Sequence, residues 1–120
     1  MKIKRLVQQA RQELSHRQPR IFIELVRLYK NLIISFVDDK KDIDEELKEI
    51  GETIVQCWGH ASDGIKIHTQ AMSEIMNETN PFRSRKYLKE ANLKLLQLMG
   101  GMIERYRKKA REYMEEIPIK

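Results

Sequence analysis

The chain has 120 residues, of which 41% are hydrophobic and 34% charged, with a net charge of +5. That length fits one domain, 1–120, with a small core. The charged share exceeds the usual ~25%, which points to long, solvent-washed helices and away from a compact α/β enzyme. Cys57 is the single cysteine, so an intrachain disulfide is excluded.

Two polar stretches divide the chain into three segments, 2–37, 42–77 and 81–116. The first segment opens on M-K-I-K-R-L-V, which is basic but lacks the apolar run of a signal peptide. Its apolar residues Ile3, Val7, Ala10, Leu14, Ile21, Leu25, Leu28, Leu32 and Phe36 keep helical phase. Pro19 interrupts them, and a proline removes a helix hydrogen bond. Phase is kept across it, so one helix kinked at Pro19 is expected, with a break into two helices as the alternative.

From Ile21 to Val37 this segment is apolar on most sides, interrupted by a strip of Glu24, Arg27, Asn31 and Ser35. A bundle helix needs an apolar stripe little wider than ~100°. The surplus predicts an interface, and the expectation is a homodimer through Phe22, Val26, Tyr29, Ile33, Ile34 and Val37. A helical partner protein or a membrane surface is the competing use. The apolar stretch is shorter than the ~20 residues of a membrane span, so a cytoplasmic location without a transmembrane segment is expected.

Asp42 is a predicted N-cap of the second segment, with Glu45 closing a capping box. The stripe there runs Ile43, Leu47, Ile50, Ile54, Cys57, Ala61, Gly64, His68, Ala71 and Ile75. It predicts one unbroken helix, with His68 partly buried beside a hydrogen-bond partner. Asn80 and Pro81 form a cap and first helical residue for the third segment. Its stripe includes Leu88, Ala91, Leu95, Leu98, Met102 and Tyr106. The fold class is therefore all-α: an elongated antiparallel bundle of three helices, each about 54 Å long, or four helices if the chain breaks at Pro19.

Matching heights along three antiparallel rods sets Pro19, Trp58, Gly59, Gly100 and Gly101 at one level near mid-length. Two adjacent glycines within a helix cost about 2 kcal/mol against alanine. The expected offset is a matched bend with Trp58 as filler; a small-ligand or metal pocket is the sharper alternative. Cys57 and His60 share a face there, and His16 is the nearest third ligand. Two ligands fall short of a zinc site, so no metal and no cofactor are expected. No nucleophile elbow, phosphate-cradling loop or H-E-x-x-H motif occurs, and the chain reads as non-catalytic.

Charge is segregated. Residues 1–37 carry +6, residues 38–78 carry −7 and residues 79–120 carry +6. The pattern predicts that the acidic middle packs against both basic flanks and keeps them apart. Arg105, Arg107, Lys108, Lys109 and Arg111 form a basic run near the end. Nucleic-acid binding through this run ranks below a protein-interaction role. Glutamates dilute the run, and no aromatic stacking motif accompanies it.

Overall fold

The computed structural model describes residues 13–57 and 59–116. Among them are five helices and no strand: α1 (Leu14–Arg17), α2 (Pro19–Asp39), α3 (Asp44–Gln56), α4 (Ala61–Glu78) and α5 (Pro81–Glu116). The all-α, elongated bundle expected from the stripes is present, with dimensions of 60 × 28 × 17 Å. It is not built from three rods.

Pro19 starts a helix rather than kinking one. The residue before a proline is pushed out of the helical region, and Gln18 sits at φ −137°, ψ 70°. Its amide still donates to the Leu14 carbonyl at 2.8 Å and closes α1. Proline then suits the first position of α2, where no amide donor is needed. At the other end Lys40 adopts a left-handed φ of 52° and terminates α2.

The larger correction concerns the middle segment, which reverses direction between Cys57 and His60. Within α3, Asp44 meets Lys94 and Gln97, Glu52 meets Arg105, and the Val55 carbonyl accepts from Lys109 at 3.3 Å. Numbers rise together, so α3 runs parallel to α5. Within α4, Gly64 lies against Met99 and Met102 and His68 bonds Asn92, and just past its end Thr79 bonds Ser84 at 2.9 Å. Numbers now run oppositely, so α4 is antiparallel to α5. The result is an up-down-up-down arrangement of α2 to α5.

Three contacts hold the reversal. Gly59 donates its amide to the Ile54 carbonyl at 2.8 Å and closes α3. A Cβ on Gly59 would stand 2.8 Å from that carbonyl, so only glycine fits. Asp63 is fully buried; its carboxylate accepts the His60 amide at 2.6 Å and the Leu14 amide at 3.0 Å. One side chain thus caps α4 and ties α1 to it.

Each of the four longer helices gives a row to one core. Leu25, Val26, Tyr29, Ile33 and Val37 come from α2, and Leu47, Ile50, Ile54 and Val55 from α3. Ile67, Ala71, Met72 and Ile75 come from α4, and Tyr87, Ala91, Leu98 and Met102 from α5. α5 packs mainly on α3 and α4, while α2 packs mainly on α4. α2 and α3 touch each other little and leave a groove between them.

The charge segregation is spent largely within the chain. Four ion pairs join an acid of the middle segment to a base of a flank: Glu78 with Lys30, Asp44 with Lys94, Glu52 with Arg105, and Asp38 with Arg83. The flanks nonetheless touch: the Lys94 ammonium lies 4.3 Å from the centre of the Phe36 ring.

At the predicted capping sites, Asn80 accepts the Arg83 amide at 2.8 Å, as an N-cap should. Asp42 accepts the Asp44 amide at 3.0 Å, but α3 begins after Ile43 and the box with Glu45 does not form.

Candidate interaction surface on the longest helix

The residues expected to form a dimer face are mostly core. Val26, Tyr29, Ile33 and Val37 are buried within the single chain, and Phe22 and Ile34 are half-buried against the same cluster. Much of the apolar breadth of 21–37 is used because α2 has neighbours on three sides, α3, α4 and α5, but Ile21, Ile23 and Leu28 stay exposed.

A further apolar surplus lies on α5. Ser84, Tyr87, Ala91, Leu98 and Met102 face inward and are buried. At 3.6 residues per turn, the opposite side of a helix carries the positions about two residues out of that phase. There Leu93 is 66% exposed, Leu96 70% and Ile103 48%. Leu88 is also exposed, and Leu95 and Met99 are half-buried toward α4. Between residues 88 and 103 the charged residues are Lys89, Glu90 and Lys94. The Lys94 side chain is folded in against Phe36 and Asp44.

Gly100 sits in this exposed row. A Cβ built on Gly100 or Gly101 would meet nothing within 4 Å. Among the described residues no close approach therefore accounts for either glycine. Gly101 borders a cleft toward α3, beside Gly51 and Leu98. Gly100 opens to the outside, a notch flanked by Leu93, Leu96 and Ile103.

The level matching expected for the mid-length residues holds only in part. Arg17, two residues before Pro19, donates to the Cys57 carbonyl, so the Pro19 break and the α3–α4 turn do meet. Across from them on α5 is Tyr106, within electrostatic reach of Asp63 and Arg17, and not the glycine pair. Trp58 lies outside the described residues. Cys57 is half-buried, while His60 and His16 are exposed; His16 pairs with Glu13 at 3.8 Å. Among the described residues no three His, Cys, Asp or Glu side chains are grouped to hold a metal.

His68, expected to be partly buried beside a hydrogen-bond partner, is buried, and its partners are Tyr29 and Asn92. Tyr29 Oη and His68 Nδ1 are 2.5 Å apart, with the rings edge to face. Burial holds the Tyr29 phenol protonated by raising its pKa, so its O–H donates to the imidazole. Burial also lowers the pKa of His68, against a smaller upward pull from Asn92. The triad stitches α2, α4 and α5 together.

The basic run divides. Arg105 is paired with Glu52, and Lys109 donates to the end of α3. Arg107 reaches Glu104 at 3.6 Å. Lys108 and Arg111 join Lys48, Glu104, Arg105 and Glu112 around an open cleft of about 500 Å³. Acidic groups are interleaved throughout. Among the described residues no helix is long and apolar enough to cross a membrane.

No curated protein and no solved structure matches this chain. A family model does: that of the KaiA C-terminal domain, a dimeric helical domain in circadian clock regulation, consistent with a protein-interaction role, matches residues 2–112. With nearly its whole length covered, the chain belongs to the KaiA C-terminal domain family.

Proposed function

We propose that this chain is a non-catalytic protein-interaction module that works as a homodimer, and that the outer face of α5 is its dimer contact. The observation that carries the reading is Gly100: an exposed mid-helix glycine whose added Cβ would meet nothing within 4 Å among the described residues, set among Leu93, Leu96 and Ile103. An uncharged apolar strip of this kind marks an interface, and small residues let two helix backbones approach closely. The family's dimeric character agrees with it.

The strip is self-complementary in one register. If two copies of α5 cross antiparallel about a twofold axis near residues 96 and 97, Leu93 of each enters the notch at Gly100 of the other. Lys89 then faces Glu104 across the contact. A twofold contact must satisfy both copies with one patch, and this register sets an apolar knob on a gap and a cation on an anion.

Sedimentation velocity at micromolar concentration tests the reading. A dimer is expected for the unaltered chain. Leu96→Glu, on a side chain already exposed, should give a monomer with unchanged helical circular dichroism. A wild-type monomer across the micromolar range, or a dimer indifferent to Leu96→Glu, refutes it.

A further inference from the structure

The groove between α2 and α3 is a second apolar recess, separate from the α5 strip. α2 contributes Leu25, Leu28 and Leu32 to its floor, and α3 contributes Ile50. Asn31, Thr53, Glu46 and Glu49 complete the lining of a cavity of about 250 Å³. Leu28 is 41% exposed, and Ile21, in line with Leu25, Leu28 and Leu32 on the helix, is exposed as well. The row Ile21 to Leu32 rises about 16 Å, the length of three helical turns.

The groove exists because of how the bundle closes. α3 lies mainly on α5 and α2 mainly on α4, so α2 and α3 touch each other little. Among the described residues no element fills the gap.

Charge selects the occupant. The rim carries Glu46 and Glu49. Lys41 stands 3.9 Å from Glu46, and among the described residues Glu49 has no ion-pair partner. No base lines the recess. Yet the whole chain carries +5. A basic ligand is therefore repelled by the molecule at large and attracted at this rim, which favours specificity over loose adhesion.

We infer that the α2–α3 groove docks an amphipathic, Lys/Arg-bearing helical segment of a partner protein, with its apolar side chains on Leu25, Leu28, Leu32 and Ile50 and its cations on Glu46 and Glu49. Helix-in-groove recognition uses anchors at i, i+3, i+4 and i+7, which is the span that this floor offers. The inference rests on the interaction-module reading but not on the dimer contact, because the two faces share no residue.

The test uses fluorescence anisotropy with two labelled three-turn synthetic helices. Both carry leucine at i, i+3, i+4 and i+7; one has lysine at its remaining positions, the other glutamate. Saturable binding of the lysine peptide is expected, with the glutamate peptide at least about tenfold weaker. Glu46→Lys/Glu49→Lys should remove that preference, and Leu28→Asp should weaken both peptides. Both sites of change are on side chains with solvent access, and thermal melts check that the variants fold. Leu96→Glu should leave peptide binding intact even if it abolishes the dimer. Equal binding of both peptides, no saturation, or indifference to the Glu46/Glu49 reversal overturns the inference.

Discussion

The Leu14 backbone amide donates to Asp63 Oδ1 at 3.0 Å, with both residues fully buried. This bond ties the stub before Pro19 to the helix that follows the chain reversal. The second carboxylate oxygen holds the His60 amide. Asp63→Ala orphans both donors, and a buried amide without a partner costs about 1–3 kcal/mol. The expected loss is about 3 kcal/mol in unfolding free energy, read as a lower urea midpoint at unchanged slope. Asp63→Asn keeps one acceptor oxygen and should fall between the two.

Much of the bundle was legible from residue spacing. Asn80 and Pro81 announced the start of α5, and the rows through Leu25, Leu47, Ala71 and Leu98 lie in the observed core. Two things were hidden for a physical reason. Cys57–His60 turns the chain back in four residues, close to one helical turn, so Ile54 and His68 keep the same apparent phase through a reversal. Periodicity reports which face is buried, not which way the chain runs. The visible signal was Gly59 followed by Asp63, a tight close and a first-turn carboxylate.

The second hidden feature was where the excess apolar surface lies. Residues 21–37 and 88–103 are both apolar nearly all round. Where the packing neighbours lie around each helix decides which side chains are exposed, and that is a property of topology. α2 and α5 each touch three of the other long helices, yet α2 buries Val26, Tyr29, Ile33 and Val37, whereas α5 turns Leu93 and Leu96 outward. Composition alone assigns the two stretches equal claims.

Gly59 and Gly101 should respond to alanine with opposite signs. At Gly59 the added methyl would stand 2.8 Å from the Ile54 carbonyl, a backbone atom that cannot swing aside. Overpacking of this kind costs about 1–3 kcal/mol. At Gly101 the methyl meets nothing within 4 Å, and the helix gains about 1 kcal/mol of propensity. Thermal melts of Gly59→Ala and Gly101→Ala should move down and up respectively. A shift of both in one direction would contradict the turn geometry.

The Tyr29–His68–Asn92 link sets a pH dependence. Burial lowers the folded-state pKa of His68 below its ordinary 6.5, so the unfolded chain binds the proton more readily. Stability from this site is therefore fully present above about 6.5 and is lost as pH falls toward the depressed folded value. Chemical denaturation at stepped pH should show a decline beginning there. Tyr29→Phe/His68→Leu removes the titrating group and its hydroxyl partner together, and should flatten that step. If the decline persists in the double variant, another group carries it.

Gly100 separates the stability of one chain from the stability of a pair. Within a single chain Gly100→Ala adds a methyl where nothing stands within 4 Å, so the helix should gain about 1 kcal/mol. In the proposed register the same methyl fills the notch that receives Leu93 of the second copy. The dimer dissociation constant should then rise about tenfold or more. Sedimentation equilibrium gives the association, and urea denaturation in a Leu96→Glu background gives the monomer's own stability. The two readouts should move oppositely for this one substitution. A glycine kept only by chance would raise monomer stability and leave association where it was, and that result would remove the reason for assigning the contact to this face of α5.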